Sequence, residues 1–181
     1  MTRRIIAAAL LCLAALGAFA EAGDGAIIYG PEWAYLVTPP EGFKLDSQRL
    51  AKIGIQGLFY PSGQEAFAED RLQMYINPFA KGGDSPEDLE GFIEWDLEYF
   101  RDRNPGLAVK RYKDLELGDF SPCRLYLLDD PERGYYMLHG YASEPGAIFV
   151  FVLVARGAEE RSAFEGAYED LLASFVYMDV E

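Results

Sequence analysis

The chain is 181 residues long, half of them hydrophobic, with 30 acidic against 16 basic side chains and a formal net charge of −14. That composition supplies a core and argues against a disordered tail. The charge, offset by no basic patch, argues against nucleic acid or anionic lipid head groups as partners.

The first residues are organised for export. Arg3 and Arg4 give a charged start, Ile5 to Leu16 is apolar, and Ala18-Phe19-Ala20 is a small-x-small cleavage site, the layout of a signal peptide. The apolar run falls short of the about 20 residues that a membrane-spanning helix needs. The sequence therefore predicts cleavage after Ala20, a secreted or periplasmic destination and no membrane insertion afterwards; an uncleaved anchor is the alternative. Residues 21–32, small and acidic, predict a flexible lead-in, and residues 33–181 a single domain of ordinary size. Cys12 leaves with the signal, so Cys123 stands alone and no internal disulfide can form. One Cys and one His, His139, cannot build a zinc site of four nitrogen or sulfur ligands.

Along the chain, Trp33 to Thr38 reads as a strand stopped by Pro39-Pro40. Ser47 to Gly54 holds at most a short helix. Ile55–Tyr60 and Arg71–Asn77 read as strands of a hairpin. The clearest helix start follows, with Ser85 as cap, Pro86 in the first position and Asp88 three residues after the cap. This helix runs to about Arg103 and stops at Asn104-Pro105-Gly106. Leu107 to Leu117 is a weak strand. Two stronger ones, "CRLYLL" and "GYYMLHGYA", form a hairpin if Asp129 to Arg133 is its loop. "AIFVFVLVA" (147–155) is apolar on both alternating faces, which predicts a central strand covered on both sides. A helix over Glu159–Ser174 closes the pattern. Strands clustered around two long helices predict an α+β fold with a mostly antiparallel sheet.

"YLVTPPEGF", "GIQGLFYPSG" and "VLVARGAEERSAFEGAYEDLLASFVY" together resemble the PsbP-like family, exported bacterial and photosystem extrinsic domains, over about Tyr35 to Tyr177. The resemblance implies an α-β-α sandwich around an antiparallel sheet. It implies no enzyme: members mostly bind or help assemble other proteins, and some interact with calcium.

The residues themselves offer few sites. In the first helix Leu89, Phe92, Ile93, Leu97 and Phe100 form one apolar arc at about 100° per residue, and Asp96 falls in its middle. A buried carboxylate must find hydrogen bonds, find a cation or stay protonated. The arc is wide, and Phe92, Trp95 and Tyr99 at its edge read either as groove filling or as a partner-binding patch. Asp129, Asp130 and Glu132 read as a solvated hairpin tip or as hard oxygen ligands for calcium, the one cofactor the sequence raises. A five-residue hairpin loop would set Cys123 opposite His139, close enough for a reactive thiol–imidazole pair; one residue more or less would part them, and His139 otherwise reads as a packed strand residue. No G-x-S-x-G is present. The sequence thus predicts an exported, non-catalytic domain that binds or helps assemble another envelope protein. The alternatives are a small-ligand or calcium carrier, and an enzyme using Cys123 with His139, or Asp96.

Overall fold

The structure, a computed structural model, describes residues 25–31, 33–64, 72–82, 85–117, 122–130 and 132–178. The export segment lies outside the described residues.

The main sheet has seven strands in the order β3-β4-β5-β9-β8-β7-β6, and every neighbouring pair is antiparallel. Its strands are β3 (Phe43–Asp46), β4 (Gly57–Pro61), β5 (Gln73–Ala80), β6 (Ala108–Leu115), β7 (Cys123–Asp130), β8 (Tyr135–Ser143) and β9 (Ala147–Arg156). A second sheet joins β1 (Ala26–Tyr29), β2 (Ala34–Val37) and β10 (Val176–Met178), with β2 in the middle. Two helices, α1 (Leu89–Arg103) and α2 (Gly157–Ser174), lie on opposite faces of the main sheet. This is the α+β sandwich that the pattern predicts.

β9 is the fourth of the seven strands, and all its residues but Arg156 are buried. Its two faces belong to two cores. Phe149, Phe151 and Leu153 pack with α2 through Tyr168, Leu171, Leu172 and Phe175, and with Trp33 and Tyr35 of the small sheet. Ile148, Val150, Val152 and Val154 pack with α1 through Phe92, Ile93 and Leu97. β5 carries Pro78, which has no N–H to give. β4 reaches only to Gly57 opposite Ile76, so Pro78 lies where β5 has β9 as its one neighbour.

Three expectations need correction, and one strand was not foreseen. The helix cap is Asp88, not Ser85: the Asp88 carboxylate accepts from the Gly91 N–H at 2.8 Å. Residues 26–29 are not a loose lead-in but form β1 against β2. The tail after α2 adds a third short strand there. The β7–β8 ladder runs out to Asp130 opposite Tyr135, so the connection is four residues, 131–134, ending in Gly134 with φ +70, a conformation that favours glycine. That one-residue difference sends His139 opposite Tyr126 and puts Leu125 opposite Gly140. Cys123 and His139 therefore point to opposite faces, and the thiol–imidazole pair does not form.

Candidate functional site

The candidate residues that the structure brings together lie on and beneath α1. The face of the sheet under this helix carries an unusual lateral row. Tyr126 of β7 is opposite His139 of β8, His139 is opposite Val152 of β9, and Val152 is opposite Tyr75 of β5; directly opposed residues share a face. Tyr141, two residues on from His139, shares it too.

Asp96 drops from α1 into this face and is 8% exposed. The Tyr141 hydroxyl donates to Asp96 Oδ2 at 2.8 Å. His139 Nδ1 lies 3.2 Å from the same hydroxyl and 3.8 Å from Asp96 Oδ2. Tyr141 has one hydroxyl proton, and Asp96 receives it. The Nδ1 contact therefore has the imidazole donating to the tyrosyl oxygen. Nε2 is buried and has no hydrogen-bond partner among the described residues; a buried polar group left so costs about 1–3 kcal/mol. Phe100 meets the imidazole edge-on at 5.0 Å between ring centres. Burial, then the Asp96 charge, push the Tyr141 hydroxyl well above its ordinary range. The same two causes, in the same order, raise Tyr75. Asp96, Tyr141 and His139 thus form a closed polar relay that ties the middle of α1 to β8. A shallow cavity of about 240 Å³ lies away from it, lined by Ile27, Ile28, Tyr29, Ser47, Gln48 and Gln56.

The outer side of α1 differs. Phe92, predicted as part of a partner patch, is fully buried against Phe79 and Tyr141 and is not available. Trp95 and Tyr99 are 39% and 48% exposed, one turn apart. Trp95 rests on Phe92 and Phe79, with centroid distances of 5.4 and 6.2 Å. Tyr99 packs edge-on against Phe100 and carries the Arg103 guanidinium 3.5 Å from its ring centre. The patch is thus rigid from below and open above.

The remaining candidates do not assemble. Asp129 and Asp130 are consecutive strand residues with alternating directions. Asp130 is buried and accepts from the Arg133 backbone N–H at 3.2 Å. Glu132 is exposed in the turn and lies against Gly106. No group of three His, Cys, Asp or Glu that could hold a metal is found among the described residues. Cys123 is buried under α2 beside Gly140, whose missing side chain leaves room for the sulfur and for the Tyr168 hydroxyl. Burial, then the Asp114 charge, raise its thiol far out of the reactive range.

No family model matches the sequence, and no curated protein does either. Solved structures do match. The cyanobacterial PsbP protein (CyanoP) of Synechocystis aligns over 91% of this chain and 99% of its own, with TM-score 0.52 and 11% identity. A Pseudomonas aeruginosa protein of unknown function aligns over 76% of this chain and 99% of its own, with TM-score 0.48 and 16% identity. The fold is PsbP-like. Among the described residues no helix is long and apolar enough to cross a membrane.

Proposed function

We propose that this chain is an exported, non-catalytic PsbP-like domain that binds another protein of the cell envelope through the outer face of α1. The observation that carries the reading is the exposed pair Trp95 and Tyr99: Trp95 is seated on Phe92 and Phe79 with no cation over it among the described residues, and Tyr99 lies one turn on. Trp and Tyr give large contact areas at small entropic cost and are favoured binding anchors. The absence of catalysis is supported by two features: the relay's imidazole is buried, and its would-be thiol partner lies on the far side of the sheet. The export segment at residues 1–20 supports the envelope as the place of action.

The test is affinity capture from an envelope fraction with the wild-type chain and with Trp95→Ala, followed by crosslinking at the surface of α1. The expected result is a partner captured by the wild type, crosslinked to α1 and lost in the variant. Capture undiminished by Trp95→Ala, or crosslinks confined to another face, would refute the reading.

A further inference from the structure

We infer that the occupant of the α1 face is a cationic segment, a stretch of partner chain bearing Lys or Arg among apolar residues; this rests on the protein-binding reading above and names the chemistry of the partner. Three features carry it. First, the aromatic pair lies within an acidic stripe. Glu98 and Asp102 stand three and seven residues beyond Trp95, and Asp88 seven before it, so all three share its side of the helix at about 100° per residue. Glu94 flanks the stripe.

Second, the charges of this stripe within the helix are unspent, whereas Asp88 is engaged as its cap. Glu90, on the opposite flank, pairs with Arg124. Glu94, Glu98 and Asp102 make no ion pair with any described residue. On α2, by contrast, Glu165 and Glu169 are held by Lys113, and Glu165 also by Arg161. On α2 two acids are thus held by cations, whereas on α1 the three beside the exposed rings are not.

Third, the patch already shows the contact it would make. Arg103 stacks on Tyr99 and donates to the Tyr99 carbonyl at 3.4 Å. A guanidinium over an aromatic face is the cation–π arrangement, for which Trp is the better ring. Trp95 has no cation over it among the described residues, and its inner side is closed by Phe79 and Phe92. An incoming Lys or Arg can take the outer face of Trp95 while its neighbours meet Glu98 and Asp102. Complementary charge would also speed the encounter and make it salt-dependent.

The experiment titrates the full chain with a synthetic peptide alternating Arg and Leu, and in parallel with one alternating Glu and Leu, while amide and indole NMR signals are followed. The chain has two tryptophans: Trp95 reports the patch, and Trp33, 3% exposed, is an internal control. The expected result is saturable shifts of the Trp95 indole and of amides along Gly91 to Asp102 with the Arg peptide alone, and a still Trp33. Trp95→Ala should abolish saturation, and Glu98→Gln with Asp102→Asn should weaken binding by roughly three- to tenfold at low salt and little at high salt. Shifts spread over the whole acidic surface and unchanged by Trp95→Ala would overturn the inference, as would no shifts, equal response to the Glu peptide, or the same shifts produced by concentrating the protein alone. The two readings can fail separately: a partner captured through Trp95 but indifferent to salt and to the double neutralisation would sink the cationic segment and leave protein binding standing.

Discussion

On the α2 side of β9, Phe149 and Phe151 meet Phe175 at 4.9 and 5.0 Å between centroids, and Tyr35 stacks on Trp33 nearby. The Tyr168 hydroxyl there is spent on the Phe151 carbonyl at 2.9 Å. On the α1 side of the same strand, valines share the space with Asp96, Tyr141, His139 and Tyr75. One helix is thus positioned by interlocking rings. The other adds to its own ring contacts at Phe92 and Phe100 a hydrogen bond at its midpoint, which helps to fix its rotation about its own axis. That rotation decides which residues face outward, so the relay inside α1 and the stripe outside it are two consequences of one placement. The lesson is that a buried polar group need not be a catalyst to matter for function: it can aim a surface.

The comparison can be broken most violently at its shared strand. Val152 is opposite both His139 and Tyr75 on the α1 face, and Val152→Asp should cost several kcal/mol, because it buries a charge with no cation to pair it. Denaturant unfolding measures this; a soluble variant with near-normal stability would show that the α1 face is not a core. Next, Asp96→Leu should cost about 1–3 kcal/mol by leaving the Tyr141 hydroxyl without its acceptor, whereas Asp96→Asn keeps an acceptor and should lose less. Equal midpoints for the wild type and both variants would remove the relay from the account.

The third test lies at the turn between β8 and β9. Glu144 is buried, and desolvation raises its carboxyl above the usual range despite the opposing influence of Lys81. A raised carboxyl favours the protonated fold. Its cost is absent below the ordinary carboxylate range and appears as pH rises through and above it. Glu144→Gln should therefore raise the melting temperature at neutral pH and leave it unchanged in acid; an equal shift at both would show that charge is not the cause. Smallest is the α2 surface. Desolvation raises Glu165, but hydrogen bonds from Lys113 and Tyr112 and the charges of Lys113 and Arg161 outweigh it and hold the carboxyl below its usual range. A lowered carboxyl stabilises above the ordinary range and stops doing so as pH falls through its folded value. Glu165→Gln should cost up to about 1 kcal/mol at neutral pH, less in salt, and nothing at low pH. A loss that persists in acid would point to packing.

The large features of this fold were legible because they are written in periodicity. β9 announces itself by having no polar face, and Asp96 by interrupting an apolar one. What was not legible depends on a count of one or on a partner from elsewhere. β1 and β10 have four and three residues, too few for a pattern, and exist by pairing with β2. Ser85 and Asp88 are both good caps, and the choice was settled only by the bond to Gly91. Asp96 could be predicted to need a partner, but Tyr141 lies 45 positions away on a strand whose rotation hung on one residue of turn. The same residue dissolved the Cys123–His139 pair. Trp95 and Tyr99 were separable from Phe92 only once Phe79 and Tyr141 had filled the groove.

The order of strands also sets a timetable. β9 pairs with β8 across a connection of three residues, yet its other neighbour, β5, ends before α1: Gln73 waits for Val154, 81 positions later. Before that far segment is made, β5 has only β4 to pair with, and the rim it will offer to β9 carries no charged side chain. The outer rim at β6, by contrast, is guarded by Lys110, Arg111 and Lys113 and by a bulge between Arg111 and Lys113. Long-range closure of this kind is slow, so a fragment ending at Glu144 is predicted to self-associate through β5; a monomeric fragment by light scattering would contradict this. The strand at the centre of the finished sheet is thus the one that β5 must wait for longest.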